Sequence, residues 1–319
     1  EQLSLIFLYI SCWCIANSHS FIIHHLTKSS RCGVSKICDN LNPIIDTEFI
    51  SGTSAILSQK PIGTNSTTLQ MLSFYCFKPV MCPTSCRDMW FNSIKDIPGL
   101  RGSVYVASEG INAQMAIPPE HLDDFLHHCS NKTLFPFDKI PPNLGDTVSI
   151  KIPTFDKLIV RVRDFVLRDG LSQETNLNWE EAGPELEAQE WQRGLNSNED
   201  RVLIDCRNLY ESAKGTFQDA LPLGTDTFKE SWDRLDLLTK DLPRNKPFYI
   251  FCTGGIRCVK VGAYLKQKLK FENVSRLKHG IISYQKWVSE NPDEVSIWQG
   301  ENFLFDKRRL EREEKDELK

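Results

Sequence analysis

The stretch Phe248-Tyr-Ile-Phe-Cys252-Thr-Gly-Gly-Ile-Arg257-Cys258 runs from four aromatic or apolar residues through a cysteine and two glycines into a helical pattern that reaches Leu269. A short apolar run ending at a glycine-containing turn reads as a buried strand. Feeding such a strand through a tight loop into a helix makes the βα unit of a parallel sheet. The alternation continues outward on both sides. Val202 to Cys206 predicts a strand, Asp226 to Leu238 a helix, Pro247 to Phe251 a strand, Arg257 to Leu269 a helix and Val274 to Leu277 a strand. Strands separated by helices predict an α/β domain with a parallel sheet, spanning 201–310, with its site at the carboxyl ends of the strands. Cys252 is thereby placed at the top of its strand, facing solvent.

The same stretch carries chemistry. The loop Thr253, Gly254, Gly255 and Ile256 surrounds the sulfur with backbone N–H groups, because glycine lets the backbone turn inward. The helix N-terminus and Arg257 both favour negative charge, so the thiol of Cys252 is expected to have a lowered pKa. Such a sulfur can hold a persulfide or attack phosphorus. Cysteine-dependent phosphatases place five residues between Cys and Arg; four lie between Cys252 and Arg257, a tighter loop suited to a sulfur-sized adduct. Cys258 reads either as a resolving thiol or as a small packed residue. Cys206 in its strand and Cys129 late in a helix are expected to be inert. Cys82 and Cys86, with Cys76, lack a nearby fourth donor, so no metal site is assigned.

The N-terminal half follows another pattern. Leu69 to Phe77 reads as a strand, Thr84 to Lys95 as a helix, Ser103 to Ala107 and Ile111 to Ile117 as strands around a Ser108-Glu109-Gly110 turn. Pro118 and Pro119 open a helix holding Leu122, Phe125 and Leu126, and Val148 to Ile152 and Leu158 to Val162 are further strands. This β-α-β-β-α-β order predicts an α+β ferredoxin-like domain at 69–170. Between the domains, 171–200 holds eight acids and one Arg and reads as an acidic linker with a short helix around Pro184 to Gly194. Residues 1–68 read as a targeting presequence and disordered linker: Leu3 to Ile15 is apolar, and Phe21 to Lys36 is Ser-rich and basic. That order resembles the bipartite presequences of secondary plastids, so organelle targeting, with the plastid first, is the expectation; the secretory pathway, mitochondrion and cytoplasm are the alternatives. Glu1 in place of Met implies that the sequence begins inside a longer chain. Residues 311–319 form a charged tail.

The segment around Cys252 resembles the rhodanese superfamily, as do Leu203-Ile-Asp205-Cys-Arg207-Asn-Leu-Tyr-Glu211 and Gly215-Thr-Phe217-Gln-Asp-Ala220. That resemblance implies a network of Asp205, Arg207 and Glu211 bracing the reactive loop. The blocks Gly102 to Gln114, Ile152 to Arg163, Phe251 to Cys258, His279 to Tyr284 and Gly300 to Asp306 are similar to the tRNA uridine hydroxylase family, in which a ferredoxin-like domain precedes a rhodanese domain. The resemblance covers about 69–310. It implies oxygen-dependent formation of 5-hydroxyuridine at the tRNA wobble position, with molecular oxygen as co-substrate, no other cofactor evident, and an important rhodanese cysteine. A rhodanese-type sulfurtransferase with a sulfur donor as partner, and a non-catalytic binding module, are the alternatives.

Charge supports an RNA partner. The whole chain has 38 Lys+Arg against 42 Asp+Glu, net -4, which shows no global nucleic-acid or membrane signature. Between Leu242 and Val288, however, ten Lys and Arg face a single acid, Glu272. Lys260, Arg276 and Lys278 in this segment, with Lys151, Lys157, Arg161 and Arg163 of the first domain, are the candidate phosphate contacts. Tyr284 and Trp287 are candidates to stack an extruded base. No apolar run is long enough to span a membrane, and the oligomeric state is open.

Overall fold

The computed structural model describes residues 55–307, apart from 133, 134, 136, 138, 139 and 172–174 and the side chains of 131 and 132. The expected presequence lies outside the described residues, as does the tail at 311–319. No helix among the described residues is long and apolar enough to cross a membrane.

The first domain is built on β2 (Thr68–Phe77), whose alternation sends Leu72 and Phe74 to one face and Met71, Ser73 and Tyr75 to the other. Helices α1 (Pro83–Ile94) and α2 (Leu122–Lys132) cover the first face. Trp90, Ile94 and Phe125 are fully buried there against Phe74, Val104 and Ile111. The remaining strands are β1 (Ile56–Gln59), β3 (Arg101–Ala107), β4 (Gly110–Ile117), β5 (Asn143–Ser149) and β6 (Leu158–Val162), in the sheet order β1-β6-β3-β4-β2-β5. The run β5-β2-β4-β3 is the ferredoxin-like arrangement, as the sequence implies; β6 and β1 widen it. Two expectations move. The strand read at Val148–Ile152 lies at Asn143–Ser149, because an edge strand need not be apolar, and polar Asn143, Asp146 and Thr147 fill it. Residues 56–59, counted in the linker, pair antiparallel with β6.

The register matters for function. On the face turned away from the helices, Arg161, Tyr105, Asn112 and Tyr75 form one cross-strand row. Ile159, Ser103, Gln114, Ser73 and Asn143 form the next.

The second domain has a parallel sheet of β7 (Glu185–Leu186), β8 (Val202–Asp205), β10 (Leu221–Pro222), β11 (Phe248–Phe251) and β12 (Val274–Leu277), in the order β10-β8-β11-β12-β7. Helices α3 (Ala188–Asn196), α4 (Leu209–Ser212), α5 (Ser231–Thr239), α6 (Ile256–Ala263) and α7 (Gly280–Glu290) connect and cover it, and β9 (Gly215–Phe217) pairs with β13 (Trp298–Gly300). The acidic stretch at 171–200 is more than a linker. It supplies the edge strand β7 and an amphipathic helix, α3, closed by a Glu187/Glu190 capping box, whose Trp191 is fully buried against Phe217 and Phe251. Two strand residues are too few to show a period.

Lys260 corrects one expectation. Its side chain is 0% exposed. The ammonium bridges Glu109 of the β3–β4 turn at 2.8 Å and Asp169 at 2.5 Å, and lies 4.9 Å from the Trp179 ring centroid. It pins the second domain to the first and is closed to RNA. An isolated Lys in a helix gives no sign that its partners are 91 and 151 residues away.

Candidate active site

Strand β11 ends at Phe251, and the loop that follows turns back over it. Gly255 sits at φ 94°, a conformation that favours glycine, and a Cβ there would lie 2.7 Å from the Tyr75 hydroxyl. Helix α7 approaches from the other side. Its first residue, Gly280, has φ 66°, and a Cβ on it would lie 2.3 Å from the Cys252 carbonyl oxygen. This closeness lets the N–H groups of Ile281 and Ile282 donate to the carbonyls of Cys252 and Thr253, at 3.0 and 3.2 Å. The orphan donors of a helix N-terminus are thus used to hold the loop.

The expected supporting network is assembled, in two parts. Arg207 donates to Asp205 at 2.9 and 2.6 Å and to the Gly215 carbonyl, and Thr216 donates to Asp205 at 3.0 Å, all without solvent exposure of the Arg and Asp. Arg257 makes a bidentate pair with Glu211 at 2.5 and 2.7 Å and donates to Thr253 Oγ1 at 3.2 Å. Glu211 itself closes a capping box with Asn208 at the start of α4, so the short helix fixes the carboxylate that fixes the arginine.

Two expectations about the sulfur change. Cys252 is buried: it packs in the core with Ile204, Ile250 and Cys258, the start of α7 lies against its carbonyl, and the Tyr75 hydroxyl of the first domain lies against Gly255 of its loop. Burial pushes its thiol well above the usual range, and the neighbouring Cys258 thiol adds to this; the Arg257 charge pulls the other way and does not prevail. The reason is visible in the geometry. The Arg257 guanidinium is turned to Glu211, leaving the Gly255 N–H, 3.1 Å from Sγ, as a weaker stabiliser of the thiolate. Cys258 is fully buried in the core with Val261 and Leu265, and Cys206 packs there too. In pH terms the raised thiol pKa favours the folded state below the ordinary thiol pKa, and this contribution is lost as pH rises through the folded value. Alkylation of Cys252 by iodoacetamide in the ligand-free protein is therefore expected to lag a free thiol at neutral pH and to accelerate only in alkali. A half-maximal rate at or below pH 8, followed by mass spectrometry, would contradict this.

Above Cys252 lies a cavity of about 300 Å³ between the two domains. Its polar lining includes the amide residues Asn112, Gln114, Asn143, Asn208, Gln285 and Asn302 beside Ser73 and Thr253, while Tyr75, Met71 and Ile282 supply apolar surface; Asn112 and Asn143 donate to the Val166 and His279 carbonyls, at 3.2 and 3.0 Å. Asn302 has a buried side-chain oxygen without a partner among the described residues. Arg257 is the one cation of the lining, and three acids, Glu211, Asp146 and Asp306, share it. Burial pushes the Tyr75 phenol well above its ordinary range, so it stays a neutral hydrogen-bonding group. The residue-by-residue reading of the sequence passed over Tyr75, Gln114, Asn143 and Asn302 as site residues. The available signal was the non-core face of β2 and β4, where Ser73, Tyr75, Asn112 and Gln114 alternate with core residues.

The candidate phosphate contacts divide. Lys151, Lys157 and Arg163 are exposed, and Arg161 and Arg163 lie 5.6 and 5.3 Å from the Tyr105 ring centroid. Arg276 is largely buried, bonded to the Gly183 carbonyl and Glu185, and Lys278 is paired with Glu187. The basic run between Leu242 and Val288 is thus partly neutralised by the acidic segment folded against it, with Lys246 on Asp200 as a further pair. Tyr284 is fully buried and donates to Gln192, so it cannot stack on an RNA base; Trp287 packs beside it.

Comparison with known proteins agrees with the two-domain reading. Residues 69–166 match the model of the UPF0176 acylphosphatase-like domain, and residues 187–289 match the rhodanese-like domain. The solution structure of a rhodanese-like domain from an Anabaena protein is 19% identical and covers 33% of this chain and 74% of its own, with a TM-score of 0.28. Proteins named tRNA uridine(34) hydroxylase from Photorhabdus laumondii and Hamiltonella defensa are 33% and 34% identical, each across 76% of this chain; the match spans 66% of their own length. The protein of that name from Brucella anthropi is 34% identical over 236 residues, 74% of this chain and 73% of its own. With both domains matched in order and identity sustained across them, the chain belongs to the tRNA uridine(34) hydroxylase family.

Proposed function

We propose that this protein hydroxylates the wobble uridine of tRNA at C5, with molecular oxygen as co-substrate and Cys252 as the reactive thiol. One observation carries the reading: the sulfur lies beneath a cavity that suits a neutral, planar base with polar edges. A uracil edge presents acceptor, donor and acceptor in turn, and an amide side chain supplies a donor and an acceptor together. Gln114 and Asn302, the latter with a buried Oδ1 that has no partner among the described residues, can meet such an edge around apolar walls, while Asn112 and Asn143 already donate to the Val166 and His279 carbonyls and keep one N–H and the amide oxygen for it. The base reaches the cavity by leaving its stack, which is least costly in a single-stranded loop.

In this reading the Cys252 thiolate adds to the electron-poor C6 of the ring. Formation of the sulfur–C6 bond moves the C5–C6 electron pair toward C5 and O4, making C5 the nucleophile toward oxygen. One oxygen atom enters at C5, and the other leaves as water with two electrons and two protons from an external reductant. Departure of the thiolate with loss of the C5 proton restores the double bond. Burial holds the Cys252 thiol high, so in this reading ionisation accompanies substrate binding.

The sulfurtransferase reading has one observation in its favour, the Gly255 N–H aimed at Sγ, which would also stabilise a persulfide. Thiosulfate, however, is a dianion, and Arg257 is already paired. Turnover of thiosulfate with cyanide is expected to be weak.

Incubating the protein with unmodified tRNA, a reductant and ¹⁸O-labelled oxygen, then digesting to nucleosides, is expected to yield labelled 5-hydroxyuridine. Unlabelled product would remove oxygen as co-substrate. Absence of product under conditions that support a bacterial relative would overturn the hydroxylase reading.

A further inference from the structure

A second groove, of about 270 Å³, adjoins the cavity above Cys252. The two share Phe155, Phe305 and Asp306 as walls. They also share a floor. Gln114 belongs to the cavity, and its cross-strand neighbours Ser103 and Ile159 belong to the groove, so one row of the sheet passes beneath both.

The groove has the chemistry of a nucleotide site. Phe305 is 39% exposed, with the Arg257 guanidinium 5.6 Å and the Phe303 ring 5.2 Å from its ring centroid, and Phe155 is half-buried in the lining of the same groove. Aromatic rings stack nucleobases with little regard to sequence. Lys157 is exposed at the rim; Arg161 and Tyr105 form the row of the sheet next to Ile159 and Ser103, and Arg163 follows just past the end of β6. Of the groove's two acids, Asp156 is neutralised by Lys307 at 2.6 Å and Asp306 is buried. Thr154, also in the lining, is 2% exposed, and its hydroxyl has no partner among the described residues. Cations outside, rings inside and a spare hydroxyl complement a phosphodiester chain.

We propose that this groove binds the nucleotide adjacent to the reacting uridine in a single-stranded RNA loop, with Phe305 and Phe155 against its base and Lys157, Arg161 and Arg163 against the phosphates. The sheet face then works as a continuous track. Its inner half presents one base to Cys252, and its outer half holds the neighbour that keeps the loop splayed. This inference rests on the tRNA reading given above and adds a subsite to it.

The test is a binding cycle in full-length protein, using fluorescence anisotropy with an anticodon stem-loop RNA and the same RNA made abasic at the position on either side of the target uridine. Removing the correct neighbouring base is expected to weaken binding to wild type about tenfold, in the range of one stacked base. Phe305→Ala should lose the same factor with the intact RNA and almost nothing more with the abasic one, while Phe305→Trp retains affinity. Lys157→Gln should reduce the slope of log affinity against log salt by about one. Unchanged thermal melting of Phe305→Ala shows that the loss is local. If wild type binds and modifies the stem-loop but Phe305→Ala binds it equally well, or loses the same factor again on the abasic RNA, the subsite is wrong and the hydroxylase reading stands. If wild type binds no stem-loop at all, both fall.

Discussion

Replacing Cys252 by serine is expected to lower 5-hydroxyuridine formation by a factor of about 10³ or more, equivalent to ~4 kcal/mol of activation free energy. The hydroxyl is far less acidic and less nucleophilic than the thiol, and among the described residues its neighbours are poor bases: Arg257 is held by Glu211, and the thiols of Cys206 and Cys258 are themselves buried. The substitution should leave the fold intact, because oxygen is smaller than sulfur and the Gly255 N–H that now points at Sγ has an acceptor to meet. RNA affinity, set by the amide lining and the outer cations, should change less than twofold. Nucleoside mass spectrometry and anisotropy on one preparation give both readings. Full activity in Cys252→Ser would remove the sulfur from the chemistry and leave the cavity as a binding pocket.

Lys260→Ala is expected to be strongly destabilising, costing about 3–5 kcal/mol. The Lys side chain is completely enclosed, and its removal strands two carboxylates, Glu109 and Asp169, in a boundary walled by Phe77 and Trp179. The cost is that of uncompensated buried charge as well as a lost contact. Lys260→Met keeps much of the volume and still leaves both acids unpaired, so it should fall nearly as far. Adding Asp169→Asn to Lys260→Met should recover part of the loss. Denaturant unfolding followed by tryptophan fluorescence measures all three. A midpoint for Lys260→Ala within about 1 kcal/mol of wild type would show that the ion network is not what holds the domains.

The extent to which function could be read from residue order differs between parts of the molecule. Strand β6 lies where its apolar pattern predicts, at Leu158–Val162, since alternation along a strand is a local property, and β12 lies at the expected Val274–Leu277, with Val274 and Leu277 buried at its two ends. Asp205, Arg207 and Glu211 were legible as a supporting network because a motif carries them together, and the structure adds only the pairing: Arg207 to Asp205, Arg257 to Glu211. The charge count between Leu242 and Val288 was accurate as a count and misleading as a surface. Lys260, Arg276 and Lys278 are matched by acids from other parts of the chain, and no local window contains both sides of those pairs.

The order of residues by itself determined two domains, their fold classes and the loop that carries Cys252, because hydrophobic period, glycine placement and short motifs act over a few residues. Only the tertiary structure decided that Cys252 is buried with a raised thiol pKa, that Arg257 is committed to Glu211, and that Asn112, Gln114, Asn143 and Asn302 line one cavity with Cys252. Burial, charge pairing and the shape of a cavity depend on which surfaces meet. Here the two surfaces that meet come from separate domains, so neither domain's pattern contains the site.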